Sequence, residues 1–233
     1  MTDSLSIIAG VLVIGVIFYL KSFFSTPKIK PKPEIIECTT MRSRNGLLPF
    51  IELNGEHIAD SALIEMRLRS HFKIPNLPQN LEAQSMALCK MADHHLFFLL
   101  IRFKIAVDAF FKTLLGGAGA PPALNFLFVP LLKAIVGKSV YTRCVGAIGD
   151  FEWAELDEML HRDLEVIQET LRDQEYLFGD KVTAADATVF SQLATVYYPF
   201  RNHITDVLEN DFPKLLEYME RVKKEVYPTD FTS

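Results

Sequence analysis

Cysteine is scarce and scattered: Cys38, Cys89 and Cys144 are three in 233 residues, with no C-x-x-C among them. An odd set without paired spacing excludes a disulfide framework and dithiol chemistry, and it fits a reducing compartment. Basic residues are outnumbered as well. There are 24 Lys and Arg against 29 Asp and Glu, a net charge of −5 and a pI near 5.7. That balance excludes a nucleic-acid surface, which needs clustered cations to meet phosphates. Internal repeats and low-complexity tracts are absent.

Three motifs are present only in outline. Gly116–Pro122 reads GGAGAPP, and Gly137-Lys138-Ser139 has Leu132 where a phosphate loop needs its leading glycine. His161-Arg162-Asp163 begins like a kinase catalytic loop, but position 168 is Gln168 rather than asparagine. Cys89, Asp93, His94 and His95 crowd one helical segment. Neighbouring side chains on a helix point about 100° apart, and a closed metal site needs three or four converging ligands. These residues are read as helix surface or core, and no metal is assigned.

One stretch has no charge at all. Ser4–Leu20 is uncharged and apolar, and it is preceded by Asp3 with no Lys or Arg. Lys21, Lys28, Lys30 and Lys32 follow it, and no small-x-small cleavage site is present. This predicts a transmembrane signal-anchor over residues 1–24, with the body of the chain on the cytoplasmic side. Pro27–Pro33, PKIKPKP, predicts an extended Pro/Lys tether over residues 25–33.

What the chain has in quantity is apolar residues, 49% with 18 Phe, enough for a large helical core. Leu47–Ile64, LLPFIELNGEHIADSALI, reads as strand, turn, strand and helix start. Asn54-Gly55 suits a two-residue hairpin turn, because both residues tolerate positive φ. Asp60 and Ser61 are good N-caps for the helix that follows. Ile74–Asn80 is a proline-interrupted linker. Beyond it, the apolar spacing predicts a long helix from Leu81 to about Leu115, with Leu96–Ile101 as buried core. Gly116–Pro122 breaks it. Ala123–Val136 follows as an apolar helix interrupted by Pro130, for which core packing is the default and a hydrophobic cleft or membrane contact are the alternatives.

Phe151–Asp173 is an amphipathic helix with a stripe through Trp153, Leu156, Leu160, Leu164, Ile167 and Leu171. Thr183 and Asp186 form a capping box for a buried helix that reaches about Tyr198. A last helix spans Phe212–Val226. The fold class is α+β, mostly helical.

The hairpin-and-helix wording, with Leu177–Leu193 (LFGDKVTAADATVFSQL), resembles the glutathione-transferase superfamily. Arg42–Pro75 and Ala83–Arg102 resemble its Fax, metaxin and nematode cadmium-responsive branch. The resemblance implies a thioredoxin-like β-β-β-α unit over 34–73 and an all-α domain of transferase C-terminal type over 81–228. Glu34–Thr39 would be the second strand of the family's domain. The first strand and first helix, which carry the thiol-activating Ser, Tyr or Cys, are missing ahead of it, so the unit reads as truncated. Three outcomes stay open: the strands close the gap, another chain fills it, or the sequence is a variant of a longer protein.

The resemblance also implies a partial glutathione site. Leu48 would pair its backbone with the cysteinyl unit, Pro49 would hold that backbone, and Asp60 and Ser61 would take the γ-glutamyl end. The competing reading is that Asp60 and Ser61 only cap a helix. With no activating residue identified, the expectation is a membrane-anchored binding, adaptor or stress-response protein. The alternatives are a glutathione-dependent enzyme and a truncated isoform without activity. Expected partners are a membrane and a protein partner or second copy, not nucleic acid.

Overall fold

The computed structural model describes Ser43 and residues 49–229. The anchor over 1–24, the tether over 25–33, the strand Glu34–Thr39 and Leu48 lie outside the described residues. The chain divides into two compact units between Pro75 and Asn76.

The first unit is a hairpin followed by a helix. Strands β1 (Phe50–Leu53) and β2 (Glu56–Ala59) pair antiparallel, Phe50 opposite Ala59 and Leu53 opposite Glu56. Asn54 (φ 53°) and Gly55 (φ 82°) both take positive φ, the turn that matches strand twist. Helix α1 (Ser61–Phe72) follows directly and ends on Lys73 in the left-handed region. Ile58 and Ala59 of β2 and Ile64 of α1 are buried. Of the expected β-β-β-α unit, the described residues hold β-β-α.

The second unit is helical. Helix α2 (Gln79–Met91) runs through a π turn at Ala92–Leu96 into α3 (Phe97–Ala106). The single helix expected to Leu115 is broken: Val107 is extended (φ −105°, ψ 137°), and α4 (Asp108–Gly117) starts after it. A distant side chain holds the break. Lys133 Nζ donates to the Ala106 carbonyl at 3.2 Å and to Asp108 Oδ1 at 2.8 Å. It thereby satisfies a terminal carbonyl of one helix and grips the first turn of the next.

Pro122–Ile148 is continuously helical: a 3-10 turn (Pro122–Leu124), α5 (Asn125–Leu132), a π turn (Lys133–Gly137) and α6 (Lys138–Ile148). Core packing, the default for Ala123–Val136, does not hold there. Phe126 is 78% exposed, and Leu127, Leu131 and Ile135 are also exposed. Only one side is seated, through Val129, Gly137 and Cys144. Phe111 fills the space beneath, in a small cluster with Ile105 and Val129. A Cβ at Gly137 would sit 3.4 Å from the Phe111 ring, so a small residue suits this contact.

The main core lies among the remaining helices. Helix α7 (Trp153–Leu171) buries Leu156, Leu160, Leu164 and Ile167 completely. Trp153, expected in that stripe, is 48% exposed because it occupies the first turn, at the edge of the bundle. Helix α8 (Ala184–Tyr197) runs through the centre, with Ala185, Val189, Leu193 and Val196 fully buried. Asp186, at 0% exposure, accepts from the Thr183 amide at 2.7 Å, the Leu177 amide at 2.9 Å and the Tyr218 hydroxyl at 3.0 Å. Two helices close the unit: α9 (His203–Asp211), which the apolar spacing did not predict, and α10 (Pro213–Val226).

Candidate functional site

The hairpin register builds the first site. Phe50 faces Ala59, so Pro49 and Asp60 are the next residues outward, and the Asp60 amide donates to the Pro49 carbonyl at 3.3 Å. Ser61 begins α1 beside them. Pro49, Asp60 and Ser61 are all exposed. Three of the four residues of the implied glutathione site therefore meet at one corner; Leu48 lies outside the described residues.

Asp60 has φ 82° and ψ 129°, a conformation that L residues rarely adopt. Such a residue stores about 1–3 kcal/mol of strain. Its Oδ1 caps α1, accepting from the Ala62 amide at 3.0 Å and the Leu63 amide at 3.3 Å. Among the described residues, nothing donates to Oδ2. A carboxylate oxygen that can accept from an ammonium thus lies beside the Ser61 hydroxyl and the amides that open a helix, which favour a carboxylate. An ammonium and a carboxylate together are the two charged groups of an amino-acid headgroup.

The apolar block at Leu96–Ile101 conceals a second cluster. Leu96, Leu99 and Leu100 are buried as expected, and Arg102, the charged residue that follows the block, is also buried at 7% exposure. Its Cζ lies 4.4 Å from the Tyr141 ring centroid and 5.1 Å from that of Trp153. The available signal was position: Arg102 directly precedes Phe103 and follows Leu99 by three, on a face that packs inward.

Two residues from the incomplete motifs find each other. His95 Nδ1 lies 2.8 Å from Asp163 Oδ2, and Asp163 is 7% exposed. Burial raises the Asp163 pKa, and His95 pulls it back only in part. Among the described residues, no three His, Cys, Asp or Glu side chains converge as a metal site would require.

A family model described as the glutathione S-transferase N-terminal domain matches residues 30–110. One described as the glutathione S-transferase C-terminal domain matches residues 160–222. Failed axon connections of Drosophila melanogaster is 30% identical over 80% of this chain and 48% of its own length. The chain thus spans about half of that relative. Isoprene-epoxide–glutathione S-transferase of Rhodococcus sp. (strain AD45) is 24% identical over 78% of this chain and 79% of that protein. No solved structure matches the chain. A hairpin that delivers a strained Asp60 to a helix start, a bundle centred on the capped α8 and matches to both transferase domains agree: the chain belongs to the glutathione S-transferase-like proteins, with Failed axon connections among its relatives.

Proposed function

We propose that this chain binds glutathione, or a peptide with the same γ-glutamyl end, at the Pro49–Asp60–Ser61 corner. It acts as a membrane-held binding or adaptor protein of the Fax type. The observation that carries the binding is the Asp60 backbone. A glycine would relax at φ 82°, yet the position holds a carboxylate with one oxygen unused among the described residues. Capping alone requires no such strain, since ordinary N-cap residues sit in extended conformations.

The membrane part of the reading has two supports. Ser4–Leu20 is followed by four lysines, a pattern that holds the helical body at the cytoplasmic face. Residues 109–149 contain no Asp or Glu and carry Lys112, Lys133, Lys138 and Arg143, in a chain whose net charge is −5. That basic, acid-free segment includes the exposed apolar side of α5.

Retention of the full chain on immobilised glutathione tests the binding. Retention is expected, with a clear loss in Ser61→Ala. Asp60→Gly separates site from cap: it relieves strain and forfeits only a few tenths of a kcal/mol of capping. It therefore raises stability by about 1 kcal/mol while weakening retention. A parent chain that is not retained, or a glycine variant retained like the parent, refutes the reading. The likeness to a transferase over 79% of that protein's length favours glutathione-dependent catalysis as the second reading. Steady turnover of a generic electrophile with glutathione would establish it in place of the adaptor.

A further inference from the structure

Arg102 lines a cleft of about 420 Å³ that lies wholly within the helical unit, with Ile105, Lys133, Lys138, Tyr141 and Trp153 among its walls. A buried guanidinium needs a counter-ion or a full set of acceptors. Arg102 has neither among the described residues, and its buried Nε has no hydrogen-bond partner. Nearby acids are engaged elsewhere. Asp108 pairs with Lys133 at 2.8 Å, and Asp150 accepts the Tyr141 hydroxyl at 2.7 Å. Instead, the guanidinium carbon lies over the Tyr141 and Trp153 rings. Stacked rings attract the cation but accept nothing from its in-plane N–H groups.

We infer that this cleft is a binding site for an oxyanion carried on an apolar body, with Arg102 as its anchor. The free in-plane N–H groups suit the two oxygens of a carboxylate or phosphate. Lys138 at the rim adds attraction. The walls of Ile105, Ala134 and Trp153 suit a hydrocarbon or aromatic body, and the volume fits a ligand of that size. The inference does not depend on the glutathione corner, because every lining residue belongs to the helical unit.

The chain carries its own reporter, since Trp153 is its one tryptophan and lines the cleft. Two sources offer the same chemistry: a free fatty acid and an anionic lipid in a bilayer. Decanoate below its micelle threshold tests the first, with decanol as the uncharged control. Phosphatidylcholine vesicles containing phosphatidate test the second, with phosphatidylcholine alone as the control for attachment through Ser4–Leu20. In the full chain, decanoate or the phosphatidate vesicles shift Trp153 emission saturably, and decanol does not.

Arg102→Met weakens that response at least about tenfold, the loss expected for a charge-assisted pair. Its melting temperature is unchanged or raised, because a buried cation without an acceptor among the described residues has been removed. A purely structural arginine would behave oppositely on melting. If the methionine variant fails to fold, Arg102→Lys serves: it keeps the charge, loses the planar fork and binds more weakly. An equal response to decanol, undiminished binding in the variant that folds, or silence toward both probes overturns the assignment.

Discussion

Asp163 shows what one buried side chain does to the pH dependence of the whole. It lies in the middle of α7, at 7% exposure, with His95 Nδ1 2.8 Å away. Burial raises its pKa, and the hydrogen bond and charge of His95 lower it by less. An acid whose folded pKa exceeds its unfolded value favours the native state when protonated. The penalty is therefore absent below the unfolded carboxylate range, about pH 4, and complete once pH has risen through the elevated folded value. Thermal melts from acid to neutral pH check this. The parent should lose stability relative to Asp163→Asn across that interval, and parallel curves would show that the carboxylate is not penalised. His95→Ala should cost about 1–3 kcal/mol at neutral pH, because it leaves a buried carboxylate without its donor. Neither partner was legible as such in the sequence. His95 drew attention as a metal candidate and Asp163 as part of a kinase-like triplet, 68 positions apart. Only the bundle brings them together.

At the scale of elements, local signals and tertiary signals part company. The Asn54-Gly55 turn and the Thr183–Asp186 box were legible because each is written within a few residues and needs little else. The corner of Pro49, Asp60 and Ser61 was legible as residues, but the φ of 82° at Asp60 follows from joining β2 to α1. Helix α9 was missed although Asn202 announces it: its side chain accepts from the Ile204 amide at 2.9 Å, and Thr205 Oγ1 accepts from the Asn202 amide at 3.2 Å. Its apolar pattern, nine residues long, was too brief to read by periodicity alone. The break at Val107 was invisible, since it depends on Lys133 from another helix. Asp186 joins both kinds of signal. Its local role was readable, whereas its bonds to the Leu177 amide and the Tyr218 hydroxyl tie α8 to a loop and to α10. Burial, with Asp186 beside it, holds the Tyr218 phenol well above its usual range, so the hydroxyl remains a donor. Asp186→Ala should therefore cost about 4 kcal/mol in urea denaturation, from several stranded donors, and Tyr218→Phe only about 1 kcal/mol. Equal losses would mean that the carboxylate is a helix cap and nothing more.

For the molecule as a whole, composition could announce apolar helices but not which of them face water. Ala123–Val136 is as apolar as any core segment, yet its side chains at Phe126, Leu127, Leu131 and Ile135 stay exposed while Val129 and Gly137 seat the helix. The stretch Pro122–Ile148, a 27-residue helix, is long and apolar enough to cross a membrane by length and composition. Crossing would pull Val129 and Cys144 out of their contacts, so lying along the surface conserves more packing. A helix lying there would set its apolar face among the acyl chains. Lys138 and Arg143 would meet anionic headgroups, with each basic residue contributing about 1 kcal/mol. Simple vesicle binding cannot test this, because the anchor proposed at Ser4–Leu20 would hold the chain on lipid by itself. A depth reading can. Phe126→Trp places a reporter at a position that is 78% exposed, where substitution should change stability by less than about 0.5 kcal/mol. The parent supplies the Trp153 background. On vesicles with brominated acyl chains and an anionic lipid, the added emission should be quenched, and Lys138→Glu with Arg143→Glu should reduce that quenching. A vesicle-bound chain whose added tryptophan is quenched no more than the background would turn this face away from the bilayer.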